Sequence, residues 1–269
     1  MTRPIRDILA ERALIHFVGR HPELDRLHQI FDAGGPLVIY IHGLAGVGKS
    51  TLLQVYAAQA AARSITVVRL DARLFEPTAG GLTQELSAAP EKLHELAPRV
   101  VLLIDAYEHL RVLDTWIRQS FIPSLHDTVR VVVASRHPPN PPWLIEPEWQ
   151  GHFAAIALGP LNQAESVELL RRRGYPEADS AALIRIANGH PLSLSLGSVR
   201  PVTEAFEGTG VLQRLAQLYL ADAVSRANPE IIGGLWIFGG KSIWRDHTQM
   251  ICVKSSYPRM RRGISGWRS

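Results

Sequence analysis

A glycine-rich stretch from Gly43 to Thr51 contains the residues whose types and spacing most clearly indicate chemistry. It reads Gly-Leu-Ala-Gly-Val-Gly-Lys-Ser-Thr, so a lysine and two hydroxyl residues directly follow the last glycine. Glycines let a loop turn successive backbone N–H groups toward a phosphate, and the Lys49 ammonium would reach its outer oxygens. The Ser50 hydroxyl would bind Mg²⁺. The spacing predicts a phosphate-binding loop for a purine nucleoside triphosphate, with ATP and Mg²⁺ as the expected ligands. The nucleotide-binding residues predicted in this loop are Gly43, Ala45, Gly46, Val47, Gly48, Lys49, Ser50 and Thr51.

Three further side chains could complete a catalytic site around Lys49. Asp105 ends an apolar run and would hold Mg²⁺ with Ser50, although a strand-end Asp can also be a simple cap. Glu108 is the carboxylate closest in sequence that could polarise an attacking water, unless it is a solvated glutamate in a first helical turn. Arg136 follows another apolar run and would face the γ-phosphate, unless it only opens a surface loop. Lys49, Asp105, Glu108 and Arg136 are therefore the predicted catalytic residues.

Apolar runs of strand length lie just before these side chains. They occupy residues 37–41, 66–70, 100–105, 130–135 and 153–158, and stretches with helical spacing separate several of them. Strands that are apolar throughout and alternate with helices are typical of a parallel sheet covered on both faces. We therefore expect an α/β fold in which the carboxyl ends of the strands carry the site.

The periodicity also suggests how the chain is divided. Residues 1–35 are expected to form N-terminal helices, and residues 36–158 the α/β core. Short helical stretches at 162–173, 177–188 and 191–198 and a longer one at 210–227 predict a small helical module over 159–227. Residues 228–269 show no recognisable periodicity, and we keep open that this tail is disordered or aberrant, as in a truncated or frameshifted copy.

Composition excludes several classes of protein. The single cysteine, Cys252, excludes an internal disulfide, and no apolar run approaches the roughly 18 residues of a membrane helix. Without a secretion signal, a cytoplasmic protein without membrane attachment is expected. The pI is about 9.5 and the net charge of the chain is +4. Residues 228–269 carry a net charge of +5, so residues 1–227 carry −1. A nucleic-acid partner thus has no support from the charge of the body.

Five motifs together resemble the STAND class of AAA+-like signalling ATPases, which includes the NB-ARC and NACHT groups. They are Phe17-Val18-Gly19-Arg20, the glycine-rich loop, Leu102-Leu103-Ile104-Asp105, Ser135-Arg136 and Gly189-His190-Pro191-Leu192, in this order. The resemblance spans about residues 14–200. It implies an AAA+-like P-loop NTPase sheet of the ASCE type, flanked by helices, with a small C-terminal helical lid.

The resemblance also implies roles for residues that spacing alone would not assign. Phe17, Val18, Gly19 and Arg20 would line the adenine pocket, Arg136 would act as a sensor arginine, and Pro191 of the lid would contact the nucleotide. Many members have two adjacent acids at the end of the third strand, whereas this chain has Ala106 after Asp105. This departure predicts slow hydrolysis, or binding without turnover.

Three functions remain open from the sequence. The leading hypothesis is a nucleotide-controlled switch that exchanges ATP and ADP, acts on a protein partner or effector domain, and self-associates in response to nucleotide. The second is a DNA-associated AAA+ ATPase related to origin-recognition or loader proteins. The third, a metabolic kinase, would need an acceptor site, for which the sequence offers no candidate.

Overall fold

The computed structural model describes residues 14–86 and 88–198 of the 269-residue chain. These residues belong to one compact unit, Met1–Gln217, and a second unit comprises Leu218–Ser269. The predicted helix at 210–227 and the tail at 228–269 lie outside the described residues, as do the first 13 residues of the predicted N-terminal helices.

Five strands form one parallel sheet. They are β1 (Val38–His42), β2 (Thr66–Asp71), β3 (Val100–Asp105), β4 (Val129–Ser135) and β5 (Phe153–Ala157). The strand order is β2-β3-β4-β1-β5, so β4 lies between β1 and β3. The order confirms the predicted ASCE-type α/β fold, and Val, Ile and Leu side chains bury both faces of the central strands.

The register brings the carboxyl ends of the central strands to one edge. His42 at the end of β1 is level with Ser135 of β4, and Asp71 of β2 is level with Asp105 of β3. The glycine-rich loop follows β1 and Arg136 follows β4. Parallel pairing alone therefore places the loop, Asp105 and Arg136 at the same edge.

Helices cover both faces of the sheet. Helix α1 (His21–His28) and helix α2 (Lys49–Ala62) pack on one face, where Leu27, Leu52 and Tyr56 are fully buried. The other face is covered by short helical turns with Tyr107, Phe121 and Trp143. The sheet therefore lies between two separate hydrophobic cores, one on each face.

Helical spacing at residues 83–96 predicts one helix there, and this prediction is wrong. The structure has a short helix α3 (Ala79–Gln84) and a separate 3-10 helix at Pro90–Leu96. Ala89 is extended, with φ −56° and ψ 143°, because a residue before proline avoids the helical region. Helical spacing also predicts a helix over residues 112–119, where the structure instead has a series of 3-10, α and π turns from Tyr107 to Ser124.

Three helices after β5 lie where the sequence predicts the first three helices of the small module. They are α4 (Gln163–Arg172), α5 (Glu177–Ala187) and α6 (Pro191–Gly197), and we call them the lid. Asn162 and Glu165 form a capping box that fixes the start of α4. Leu170, Leu194 and Val18 share one small core, so the lid packs on the N-terminal motif. No helix within residues 14–86 and 88–198 has the length and apolar character needed to cross a bilayer.

Candidate nucleotide-binding site

The glycine-rich loop connects β1 to α2 in a conformation that only glycine adopts easily. Gly46 has φ +74° and Gly48 has φ +104°, a region in which L side chains are strained. Gly48 is also the N-cap of the 14-residue helix α2. The loop therefore presents its backbone N–H groups and the positive end of a long helix dipole at one place.

Lys49 lies at the floor of this loop. It is only 8% exposed, and its Nζ donates hydrogen bonds to the carbonyls of Gly43 at 2.7 Å and Leu44 at 2.9 Å. These bonds hold the ammonium inside the curl of the loop. Phosphate oxygens entering the loop would meet a positive charge that is already positioned.

The predicted catalytic side chains share one cavity of about 330 Å³ beside the loop. Ser50, Asp105, Glu108 and Arg136 all line it, together with Lys49. One oxygen of Asp105 accepts the Ala106 N–H at 2.8 Å, which fixes the carboxylate at the end of β3. Residues from β1, β3 and β4 that are up to 87 positions apart thus converge on one polar cavity.

The cavity also offers the oxygen donors that Mg²⁺ requires. A Ser50 hydroxyl and an Asp105 carboxylate are hard ligands of the kind that bind Mg²⁺ together with phosphate oxygens and water. Both belong to the same cavity as Lys49, so a metal held by them would lie beside the phosphates. The residues present therefore fit a Mg²⁺ ion delivered with a nucleotide.

Glu108 and Arg136 form an ion pair inside this cavity. Arg136 Nε lies 3.0 Å from Glu108 Oε1, and the Arg136 backbone N–H donates to Glu108 Oε2 at 3.1 Å. The Glu108 side chain is 14% exposed. The candidate base and the candidate sensor arginine are therefore partners of each other, which neither spacing nor the family resemblance predicts.

A second cavity of about 340 Å³ continues from the first and suits a base and sugar. The two cavities share Gly48, Thr51, Pro191 and Ser195. The residues lining the second cavity are His16, Phe17, Val18, Arg20, Val47, Gly48, Thr51, Leu161, Leu169, Arg173, Pro191 and Ser195. It is mostly apolar, and the lid closes one side of it.

Two residues of the predicted adenine pocket have structural tasks as well. Arg20 is 7% exposed, and its guanidinium donates to the carbonyls of Gly159 at 2.5 Å and Val47 at 3.3 Å. It therefore connects the loop to the segment that leads into the lid. Gly19 does not line the cavity, and a side chain there would collide with Glu165 of α4.

The lid touches the glycine-rich loop directly. His190 Nε2 lies 2.8 Å from the carbonyl oxygen of Ala45, and the Leu192 N–H donates to the carbonyl of Gly46 at 3.2 Å. His190 Nδ1 accepts the Ser193 N–H and caps α6, so Nε2 carries the proton and donates to Ala45. Burial, together with the charge of Lys49, lowers the pKa of His190 and favours this neutral form, although the Ala45 hydrogen bond opposes the shift.

Sequence reasoning assigned no role to several residues of the site, among them Arg73, His16, Arg173 and His190. Arg73 follows β2, lines the phosphate cavity and forms a two-point pair with Asp71 at 2.8 and 2.6 Å. His16, Arg173 and His190 reach the site through contacts between distant parts of the chain. His16 directly precedes Phe17 and His190 lies inside the fifth motif, which is the one sequence signal that could have drawn attention to them.

Comparison with known proteins supports the geometry. Residues 16–138, slightly less than half of the chain, match the family model described as AAA ATPase domain. No curated protein sequence gives a significant match. The fold is similar to that of a Walker-type ATPase of Pyrococcus abyssi, with TM-score 0.54, 14% identity, and coverage of 81% of this chain and 75% of that one.

Two archaeal structures with lower scores have a related outline. They are Cdc6p from Pyrobaculum aerophilum, with TM-score 0.49, 16% identity and coverage of 67% of this chain and 62% of that one, and the Aeropyrum pernix ORC1 protein in complex with DNA, with TM-score 0.48, 16% identity and coverage of 68% and 59%. The family match and the sheet order, rather than these two structures, identify the fold. Residues 16–138 of this chain therefore resemble an AAA ATPase domain, and the five-stranded parallel sheet has the P-loop NTPase fold.

Proposed function

We propose that this chain is an ATP-binding, slowly ATP-hydrolysing switch module of the STAND class. In this proposal the glycine-rich loop holds Mg-ATP, and the lid changes its packing with the state of the nucleotide. A partner or effector domain then responds to the lid, by direct contact or through self-association. The five ordered motifs support the STAND assignment.

One observation carries the proposal: the lid is hydrogen-bonded to the phosphate loop itself. Lid residues donate hydrogen bonds to the carbonyl oxygens of Ala45 and Gly46. The same two peptide groups include the N–H groups of Gly46 and Val47, within the curl that would surround a phosphate, although the Val47 N–H itself donates to the Leu44 carbonyl at 3.3 Å. Phosphate binding and lid docking therefore act on one short piece of backbone, and a change in either must alter the other.

The ion pair between Glu108 and Arg136 suggests how hydrolysis would depend on the nucleotide. A γ-phosphate in the cavity competes with Glu108 for the Arg136 guanidinium, because both are anions. Glu108 would then accept a proton from water as the water attacks the γ-phosphorus. The bond to the β-phosphate oxygen breaks, and ADP and inorganic phosphate form. Mg²⁺, bound with Ser50 and Asp105, would neutralise charge on the phosphates.

The lid proposal can be tested by hydrogen–deuterium exchange on the full chain. We expect different protection of α6 with ADP and with a non-hydrolysable ATP analogue, because only the analogue brings a γ-phosphate to the cavity. Size-exclusion chromatography in the same two states would show whether the switch changes assembly. Equal exchange of α6 in both states would refute a lid that reports the nucleotide.

A further inference from the structure

A short helix and a proline-rich connector carry the two members of the Glu108–Arg136 ion pair. Glu108 belongs to the 3-10 helix Tyr107–Leu113 that follows β3, and Arg136 opens the connector over residues 136–143 that follows β4. Side chains three positions apart in a 3-10 helix eclipse one another, so Glu108, Arg111 and Asp114 share one face. All three bond to residues of the connector. The ion pair is therefore one of several links between the same two segments.

Asp114 anchors the far end of these links. It is only 5% exposed, and its Oδ1 accepts hydrogen bonds from the Tyr107 hydroxyl at 2.8 Å and from Trp143 Nε1 at 2.9 Å. Its Oδ2 accepts from Asn140 Nδ2 at 2.9 Å. Burial raises the pKa of Tyr107, so the hydroxyl keeps its proton and remains a donor. Three donors thus satisfy a carboxylate that would otherwise be costly to bury.

Asn140 connects this anchor to the helix a second time. Its Nδ2 donates to Asp114, and its Oδ1 accepts from Arg111 Nη2 at 2.9 Å. A carboxylate only accepts and a guanidinium only donates, so one orientation of the amide satisfies both. Pro138 and Pro139 lie between Asn140 and Arg136, and their fixed φ angles restrict the connector. A shift of Asn140 would therefore move Arg136.

The other end of the helix is fixed as well. Ala106 has φ +54° and ψ +38°, and its N–H donates to Asp105 Oδ1 at 2.8 Å. A residue with a side chain keeps this left-handed conformation only where the surrounding structure determines it. The segment that carries Glu108 is therefore held at Asp105 on one side and at Asp114 on the other.

From this geometry we propose that Asp114 and Asn140 are positioning residues for the γ-phosphate of ATP. They keep the Arg136 guanidinium within reach of both Glu108 and an incoming γ-phosphate. Neither residue lines the phosphate cavity, so both act through Glu108 and Arg136. The inference rests on the proposed nucleotide-binding function and adds two residues outside every sequence motif. Because ADP has no γ-phosphate, its binding does not depend on them.

Exchanging the two side chains tests this proposal. Asp114→Asn brings two amide groups together, and Asn140→Asp brings two carboxylates together, so each single variant loses the match of donor and acceptor. The double variant restores it, because the amide at position 114 donates to the carboxylate at position 140, which also accepts from Arg111. Arg111→Ala removes one link at an exposed position and leaves the buried groups in place. Asp127→Asn is the matched control, since that side chain is 87% exposed.

Calorimetry of the full chain with ADP and with a non-hydrolysable ATP analogue, both with Mg²⁺, provides the measurement. Each single exchange should weaken binding of the analogue about fivefold, the size of one lost hydrogen bond, and leave ADP binding unchanged. The double variant should return to the wild-type affinity. Arg111→Ala should show a smaller loss in the same direction, and Asp127→Asn none. A general structural defect would instead lower both affinities, and thermal unfolding shows whether each variant is folded.

Three results would overturn the inference and leave the proposed function intact. The first is a wild-type ratio of analogue to ADP affinity in the single variants, or in Arg111→Ala if the buried variants do not fold. The second is an equal loss of affinity for both ligands. The third is a folded double variant that remains as weak as the single ones. A wild-type chain that binds neither ligand would overturn the proposed function together with this inference.

Discussion

The Nε of Arg136 lies 3.0 Å from Oε1 of Glu108, so the candidate sensor and the candidate base neutralise each other before any nucleotide arrives. The pair joins the end of β4 to the helical segment that follows β3. A γ-phosphate would have to replace Glu108 as the partner of Arg136, and that exchange would release the carboxylate for catalysis. In the proposed mechanism the ion pair would therefore keep Glu108 inactive until a γ-phosphate is bound.

Substituting either partner of this pair should separate binding from turnover. Glu108→Gln should lower ATP turnover about 100-fold or more, the usual size of a lost general base, with little change in ATP affinity. Arg136→Ala should weaken ATP binding about tenfold and ADP binding much less, because only ATP carries the γ-phosphate. Phosphate release and calorimetry measure these effects, with the exposed Glu148→Gln as control. Unimpaired turnover in Glu108→Gln would exclude Glu108 as the base.

Two glycines of the loop should give different defects although both have positive φ. A Cβ on Gly46 would lie 2.7 Å from the Leu192 Cβ and 2.9 Å from His190 Cε1, whereas a Cβ on Gly48 would meet no described atom within 4 Å. Gly46→Ala should therefore push α6 away and increase its hydrogen exchange. Gly48→Ala should reduce ATP affinity through backbone strain of about 1–2 kcal/mol and leave α6 protected. Identical exchange of α6 in the two variants would contradict the direct packing of the lid on Gly46.

Acidification should loosen the lid through His190. Burial lowers the pKa of His190 below its ordinary value of 6.5, so the unfolded chain takes up the proton more readily than the folded one. The neutral ring contributes fully to the free energy of unfolding above pH 6.5, and this contribution is lost as the pH falls below 6.5. Its size is about 1.4 kcal/mol for each unit by which folding lowers the pKa. His190→Asn keeps an N-cap residue but does not titrate.

Urea unfolding at pH 7.5 and pH 5.5 measures this effect. The wild type should lose more stability between the two values than His190→Asn does. His42 is a second group with a lowered pKa, through burial and the charge of Lys49, so His42→Asn serves as the comparison. An equal loss in the wild type and in His190→Asn would assign the pH dependence to other groups.

DNA binding provides the test between the switch and the DNA-associated alternative. Residues 1–227 carry a net charge of −1 and residues 228–269 carry +5, so binding to duplex DNA should disappear when residues 228–269 are deleted. Fluorescence anisotropy with a labelled duplex at low and physiological salt measures it. Retained, salt-sensitive binding by the deleted chain would favour the DNA-associated ATPase over the switch.

The strands were predictable because burial of a parallel sheet on both faces leaves continuous apolar runs. The run at residues 37–41 is observed as Val38–His42, and the run at 130–135 as Val129–Ser135. The helical boundaries of the lid were equally close, since Asn162 and Pro191 are strong start signals. The mixed turns from Tyr107 to Ser124 were not predictable, because no single period fits 3-10, α and π geometry together.

The site was predictable only where its residues form contiguous motifs. The loop and Asp105 have fixed spacings that reflect their chemistry, so they could be found in one sequence. The contact partners of those residues could not be found in the sequence, because spacing contains no information about contacts across the fold. Glu108 with Arg136 and His190 with Ala45 are examples, separated by 28 and 145 positions. His16 and Arg173 likewise line one cavity only once α4 has packed on the N-terminal segment.

The most direct test of the central claim is calorimetric titration of Mg-ATP into the wild type and into Lys49→Ala. Lys49 is buried inside the loop, where its ammonium would meet the phosphates. We predict measurable ATP binding by the wild type and none by Lys49→Ala, with both proteins folded by circular dichroism. Unchanged ATP affinity in Lys49→Ala would show that the nucleotide does not bind at this loop.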